Sequence, residues 1–299
     1  MPRIAIFGPG LLGGSIALKL RESGTAVPAV SGTGGTPVSL SPGAHIGLWA
    51  RRGEAVADLR ARGIADTVSS DIGEIACDAD FIILCVPVAA MRSLALEIAR
   101  FIKPGCVVTD VGSVKASVVA ELAPIFEHFI GSHPMAGKAE AGIDAAEAGL
   151  FANTNCILTP HNDDTASAEI VRAFWQKLGC RVVTMPAREH DECVALISHL
   201  PHIVAGNLVR AVAEKNAAAL GIVGPGFRDT TRVASGPPEL WTGIIAANQP
   251  AIIDAIDAMI AKLGEFRQTV ARVAAEGGQE ELTNLLADAK RIRDHIQFP

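Results

Sequence analysis

The sequence lacks any extended run of basic residues. The chain has 299 residues and a formal net charge of −6, and no basic cluster is longer than Arg51-Arg52. Binding to nucleic acid or to an anionic membrane surface generally needs a positively charged stripe or patch. The charge pattern therefore argues against both kinds of partner.

Paired cysteines and membrane-length apolar runs are also missing. The six cysteines are scattered, and no two of them have CxxC spacing, so we predict reduced thiols and no metal site. The longest apolar run, at 81–91, is too short to cross a bilayer. The N-terminus passes into a strand pattern at Arg3 without the pattern of a leader peptide. We expect a cytoplasmic protein.

The chain does contain a regular alternation of strand and helix patterns up to about residue 160. Hydrophobic residues make up 49% and charged residues 19% of the sequence, as in well-packed globular proteins. The alternation predicts an α/β fold with a Rossmann-type doubly wound parallel sheet. The predicted strands lie at 4–7, 46–49, 81–86, 107–111, 129–131 and 156–158.

The rest of the chain is mainly helical. A helix at 165–178 and a short strand at 181–184 precede apolar residues that recur with helical spacing to the end. We divide the chain into a dinucleotide-binding Rossmann domain at 1–160 and an all-helical domain at 161–299. Residues 26–43 are uncharged and rich in turn-forming residues, which predicts a loop inserted into the first domain.

A glycine motif follows the first predicted strand and precedes the first predicted helix. The segment GPGLLG supplies Gly8, Gly10 and Gly13, with Leu11 and Leu12 at the start of the helix. The first glycine allows a tight turn, the second lets the backbone approach a pyrophosphate, and the third allows close packing of the helix. This placement predicts a dinucleotide site.

The second predicted strand ends without the carboxylate that usually binds the ribose of NAD. Arg51 and Arg52 stand there instead. Two guanidinium groups suit a 2′-phosphate, so we predict NADP as the cofactor, with NAD as the alternative.

Four further segments, read together, carry a family resemblance. They are DVGSVK at 110–115, GSHPMAG at 131–137, SHLPH at 198–202 and FRDTTR at 227–232, followed by Trp241. This set resembles the prephenate/arogenate dehydrogenase family over nearly the whole chain, apart from the insert. The resemblance implies that the helical domain forms the core of a homodimer and contributes residues to the substrate site.

The resemblance also implies roles for individual residues. His133 would be the catalytic histidine, and Ser113 would orient it or the substrate hydroxyl. Arg232 would bind the ring carboxylate of the substrate, and Ser198 and His202 would line the same pocket. For Ser113, capping of the following helix is a second interpretation. We interpret His190-Asp191 only as the start of a helix.

The implied reaction is the oxidative decarboxylation of prephenate or arogenate in tyrosine biosynthesis. Oxidation of the ring hydroxyl needs a hydride acceptor and a base, and a histidine is a base near neutral pH. Two other functions remain open at this point. One is a related dehydrogenase acting on a β-hydroxyacid or an imine, and the other is a non-catalytic dimer that senses dinucleotides.

Overall fold

A mixed eight-stranded sheet forms the N-terminal part of the structure, a computed structural model that describes residues 2–22, 43–138 and 140–296. Apart from residue 43, the predicted insert at 26–43 lies outside the described residues. The strands are β1 (Arg3–Phe7), β2 (His45–Trp49), β3 (Thr67–Ser69), β4 (Phe81–Leu84), β5 (Val107–Asp110), β6 (Phe129–Pro134), β7 (Asn155–Thr159) and β8 (Arg181–Thr184).

The sheet has the order β3-β2-β1-β4-β5-β6-β7-β8. Within the described ranges, six α-helices accompany the strands and six more form the C-terminal region. The first six are α1 (Leu11–Glu22), α2 (Gly53–Arg62), α3 (Ile72–Ala76), α4 (Val88–Ile98), α5 (Ala116–Leu122) and α6 (Thr165–Lys177). The others are α7 (Ala187–Val194), α8 (Leu200–Asn216), α9 (Pro225–Thr231), α10 (Pro238–Ala247), α11 (Gln249–Ala271) and α12 (Gly278–His295).

The central strands are apolar on both faces because helices cover both faces of the sheet. In β1, Ile4 and Ile6 belong to one buried cluster, together with Trp175 of α6. The residues between and after them, Ala5 and Phe7, belong to a second cluster on the other face. This alternation follows from the two-residue repeat of a strand. The predicted Rossmann-type sheet followed by a helical domain is confirmed.

One strand pair departs from the predicted parallel arrangement. β6 and β7 are antiparallel, and His133 of β6 lies opposite Ile157 of β7. A parallel pair needs a crossover, which is usually a helix, whereas the described residues of the connection at 135–154 contain only the 3₁₀ turn Ile143–Ala145. His133 therefore lies inside β6. The predicted strand at 129–131 had placed it beyond the end of the strand.

The sheet also extends past the domain boundary predicted at residue 160. After β7 the chain forms α6 and returns as β8, which pairs in parallel with β7. The division at 1–160 and 161–299 would cut β8 and its crossover helix away from the sheet. We therefore place the boundary between Thr184, the last residue of β8, and Ala187, the first residue of α7.

The helical region exposes many large apolar side chains. Ile197 is 66% exposed and Ile222 is 87% exposed, and both lie in the continuous helical stretch Ala187–Ile222. This stretch is long and apolar enough to cross a membrane by length and composition, although one such helix is weak evidence for a span. A surface of this kind needs another apolar surface to cover it.

A buried ion pair lies at the carboxyl end of β5. The Nζ atom of Lys115 donates a hydrogen bond to the carboxylate of Asp110, and both side chains are fully buried. The same carboxylate accepts hydrogen bonds from the backbone N–H groups of Gly112 (2.7 Å) and Ser132 (3.1 Å). These bonds compensate in part for the cost of removing the two charges from water.

We predict that Lys115→Met lowers the free energy of unfolding by about 3–5 kcal/mol, because it leaves the Asp110 carboxylate buried without a cation. The double variant Asp110→Asn/Lys115→Met removes both charges and should recover part of the loss. Urea unfolding followed by circular dichroism measures both. A double variant that is less stable than the single one would contradict this account.

Candidate active site

A cavity of about 420 Å³ lies between the sheet and the helical region. The strand β6 and the loop after it form one wall, and helical segments form the other. The residues that line it are Ser113, His133, Met135, Ala136, Gly137, Lys138, Ser198, His199, Arg232, Val233, Gly236, Pro237, Leu240, Trp241 and Ile244. Four of the residues predicted from the sequence, Ser113, His133, Ser198 and Arg232, are therefore brought together.

His133 is held by a chain of hydrogen bonds that reaches into the helical domain. Its Nδ1 atom lies 2.8 Å from Nε2 of His190 in α7, and Nδ1 of His190 lies 2.7 Å from the carboxylate of Asp191. A carboxylate only accepts, so Nδ1 of His190 donates to Asp191 and Nε2 of a neutral His190 accepts from His133. This leaves the Nε2 atom of His133 with a free lone pair.

The carboxylate of Asp191 is fixed by the backbone of the Rossmann domain. It accepts hydrogen bonds from the backbone N–H groups of Lys115 (2.7 Å) and Ala116 (2.9 Å) at the start of α5. Asp191 therefore caps that helix from outside. Ser113 makes no hydrogen bond with His133 in the described part of the chain, and it does not cap α5, so only its predicted contact with the substrate hydroxyl remains.

The surroundings of His133 favour its neutral form. Burial lowers the pKa of His133 well below its ordinary value, and the nearby His190 and Lys115 lower it further. A neutral imidazole accepts a proton, so the residue is in its basic form at neutral pH.

The helical wall is shaped by a π-helical turn, Ala195–His199, between α7 and α8. Such turns are rare in proteins, and those that occur often lie at functional sites. Here the turn brings both Ser198 and His199 to the cavity. Burial lowers the pKa of His199 to about 4, so it too is neutral near pH 7.

His202 does not line the cavity as predicted. Its ring stacks on Trp241, with ring centroids 3.5 Å apart and an angle of 9° between the planes, and Trp241 itself lines the cavity. The cause is its position in α8, beyond the turn that presents Ser198. His202 therefore packs against Trp241, which forms part of the cavity wall.

Arg232 is an exposed cation without a counter-charge among the described residues. It begins the 3₁₀ turn Arg232–Ser235 and lines the cavity. Its side chain makes no ion pair or hydrogen bond with any residue in the described ranges. A guanidinium group in this state is suited to bind a carboxylate of a ligand.

His190 and Asp191 were not predicted as site residues, because their place in the sequence indicated only the start of a helix. They lie within α7, and His190 is 57 positions along the chain from His133. No local pattern marks this contact, because it depends on the packing of the helical domain against β6. Asn248, which donates to the backbone carbonyl of Asp191 at 2.8 Å, was missed for the same reason.

The glycine turn fits a dinucleotide cofactor. Gly8 has φ +117°, and a Cβ atom there would lie 2.4 Å from the carbonyl oxygen of Cys85. A Cβ atom on Gly13 would lie 2.0 Å from the carbonyl oxygen of Gly8, whereas one on Gly10 would meet nothing within 4 Å. The first and third glycines are thus required by packing, and the second keeps the backbone open where a pyrophosphate would approach the start of α1.

Comparison with known proteins covers both parts of the chain. The family model for the nucleotide-binding domain of prephenate dehydrogenase matches residues 42–184. The model for the prephenate dehydrogenase dimerization domain matches residues 186–288. The two matches meet where the sheet ends.

Individual relatives and solved structures agree with this. The cyclohexadienyl dehydrogenase of Zymomonas mobilis is 37% identical over 90% of this chain and 88% of its own. The prephenate dehydrogenase of Bacillus subtilis is 33% identical over 98% and 74%. The structure of prephenate dehydrogenase from A. aeolicus with hydroxyphenyl propionate and NAD+ has a TM-score of 0.85 at 29% identity, covering 99% of both chains.

A nicotinamide-dependent oxidoreductase is the class that this fold and this cavity define. The two family matches and the relatives above 30% identity add the particular family, and the chain belongs to the prephenate dehydrogenase family. A β-hydroxyacid dehydrogenase is not favoured. The 3-hydroxyisobutyrate dehydrogenase of Salmonella typhimurium shares only the fold, with a TM-score of 0.56 at 13% identity.

We predict that His190→Phe lowers kcat by roughly 10²-fold, toward the low end of what a positioned base contributes, because His133 loses the acceptor that fixes its tautomer. His190→Gln should restore part of the activity, since its amide oxygen can accept from Nδ1 of His133. Steady-state kinetics give kcat, and fluorescence titration with the cofactor should give an unchanged Kd. An unchanged kcat in His190→Phe would exclude the positioning role.

Proposed function

We propose that this enzyme oxidises prephenate or arogenate at the ring carbon that carries the hydroxyl group, with loss of the ring carboxylate as carbon dioxide. The reaction forms 4-hydroxyphenylpyruvate or tyrosine. The observation that carries the proposal is the cavity in which His133, with a free Nε2 atom, and the unpaired Arg232 occur together.

In the proposed mechanism the bound nicotinamide cofactor supplies the hydride acceptor. His133 takes the hydroxyl proton at Nε2 while the carbon–hydrogen bond at the same carbon breaks with its electron pair. The positive charge that forms on His133 is stabilised by the hydrogen bond from its Nδ1 atom to His190. Ser113 contacts the substrate hydroxyl and keeps it directed at the base.

Arg232 binds the carboxylate on the opposite ring carbon, and Ser198 lines the pocket beside it. Once the ring carbonyl has formed, the carbon–carbon bond to this carboxylate breaks and carbon dioxide leaves. The electron pair passes through the ring to the carbonyl oxygen, which recovers the proton from His133. The ring becomes aromatic, and this makes the step favourable.

We further propose a cytoplasmic homodimer. The support is the match of 186–288 to a dimerization domain and the exposed apolar side chains of the same region, such as Ile197 and Ile222. A second copy would cover these side chains, and this accounts for an apolar helix at Ala187–Ile222 without a membrane.

We predict that His133→Asn lowers kcat by roughly 10²–10⁴-fold, because the basic nitrogen is lost. Arg232→Ala should mainly raise KM, because the carboxylate contact exists before the reaction begins.

The wild-type rate should stay constant as pH falls to about 6.5 and decline only in more acidic buffer, since the neutral form of His133 is active and its pKa is lowered. Absorbance of the reduced nicotinamide measures all three. Near-normal kcat in His133→Asn with both acids would place the base elsewhere.

We also propose NADP as the preferred cofactor, held by Gly8, Gly10 and Gly13 and by the start of α1 at Leu11 and Leu12. Arg51 and Arg52 follow β2, are exposed, and have no partner among the described residues. They would pair with the 2′-phosphate.

We predict that kcat/KM is higher with NADP than with NAD, and that Arg51→Ala/Arg52→Ala lowers it about tenfold or more for NADP while changing the NAD value little. The control is Arg181→Ala, because Arg181 is exposed in β8, at the opposite edge of the sheet. Equal or better efficiency of the wild-type enzyme with NAD would refute the preference.

A further inference from the structure

The cavity that contains His133 carries positive charge on both of its walls. Arg232 contributes a guanidinium group from the helical wall, and Lys138 contributes an ammonium group from the loop after β6. None of the described residues that line the cavity is an aspartate or a glutamate. The cavity is therefore suited to a ligand with two negative charges and no positive charge.

Lys138 is held at the rim of the cavity by two contacts. Its Nζ atom lies 2.7 Å from a carboxylate oxygen of Glu147 and 3.4 Å from the backbone carbonyl oxygen of Ala145. An ammonium group has three N–H donors, so one remains for a ligand. The lysine side chain is 31% exposed, which leaves this donor accessible.

The loop that carries these contacts is anchored to helices α1 and α2 of the Rossmann domain. The backbone N–H of Glu147 donates to the hydroxyl of Ser15 in α1 at 3.0 Å, and Ser15 is fully buried. Asp144 of the same loop pairs with Arg62 at the end of α2, at 2.7 Å. The position of Lys138 is thus set by the fold and not by the lysine side chain alone.

We propose that Lys138 binds the side-chain carboxylate of the substrate and makes the enzyme prefer prephenate to arogenate. This inference rests on the function proposed above. Both acids carry one carboxylate directly on a ring carbon and a second on the side chain of that same carbon, so Arg232 and Lys138 can each take one. The acids differ beside the second carboxylate, where prephenate has a keto group and arogenate has an ammonium group.

An ammonium group next to Lys138 is unfavourable for two reasons. The two positive charges repel each other in a partly buried site, where screening by water is reduced. No described acidic side chain lines the cavity to compensate, and the nearby Glu147 is already paired with Lys138. A keto group adds no charge and can accept a hydrogen bond, so the site discriminates by repulsion of the wrong substrate.

The test is the ratio of kcat/KM for prephenate to kcat/KM for arogenate, at saturating cofactor. In Lys138→Met the ratio should fall about tenfold. The hydrogen bond to the carboxylate is lost with both acids, but repulsion is relieved only with arogenate, so KM should rise more for prephenate. Lys138→Arg should keep most of the preference, and Lys138→Glu should favour arogenate. The matched control is Lys290→Met, which removes an exposed lysine of α12 that is paired with Asp294 and should leave the ratio unchanged.

Glu147→Gln separates the proposal from its main competitor. If Glu147 were the partner of the arogenate ammonium group, this variant would lose activity with arogenate, and the proposal would be wrong. We expect instead that freeing Lys138 keeps or raises the preference for prephenate. A wild-type enzyme that prefers arogenate, or a ratio that is unchanged in Lys138→Met, would also overturn the proposal. If the wild-type enzyme oxidises neither acid, the proposed function itself fails.

Discussion

The buried contact between Lys115 and two aspartates is the constraint on which the site depends. The Nζ atom of Lys115 pairs with Asp110 in the sheet domain, and its backbone N–H donates to Asp191 in the helical domain. Asp191 in turn orients His190, and His190 orients His133. One lysine thus joins the two domains and fixes the geometry of His133. Because buried charges are stable only when all of them are paired, this arrangement tolerates few alternatives.

Much of the fold could be predicted from the sequence because it is encoded locally. The all-apolar run at 81–86 predicts a central strand, and β4 is buried at every position. The glycines at 8, 10 and 13 predict the cofactor turn, since Gly8 and Gly13 are required by close packing and Gly10 leaves the backbone open to a pyrophosphate. The direction of β7 relative to β6 is not encoded locally. It depends on whether the connection at 135–154 forms a helix, and the apolar pattern of a strand does not show whether its partner runs parallel or antiparallel.

The site could be predicted only in part for a related reason. His133, Ser113 and Arg232 stand in motifs that resemble those of the family, so the sequence alone indicates them. His190 and Asp191 act through packing between α7 and β6, and their dipeptide has no distinctive spacing. His202 was misplaced because it lies four residues beyond Ser198, past the π-helical turn, and its ring stacks on Trp241 without lining the cavity. The residue type of His202 suits a role in binding, but its position on the helix determines that it does not reach the cavity.

The lowered pKa of His133 suits both halves of the proposed reaction. A strongly basic histidine would take the hydroxyl proton readily but would return it slowly to the oxygen when the ring becomes aromatic. Burial and the charge of Lys115 make the protonated form less stable, and this favours the return. The hydrogen bond to His190 offsets the effect by stabilising that same form while the hydride leaves. Asp110 limits the effect of Lys115 on the pKa of His133, because the Asp110 carboxylate offsets the lysine charge. The balance of these buried charges therefore allows one imidazole to act first as a base and then as an acid.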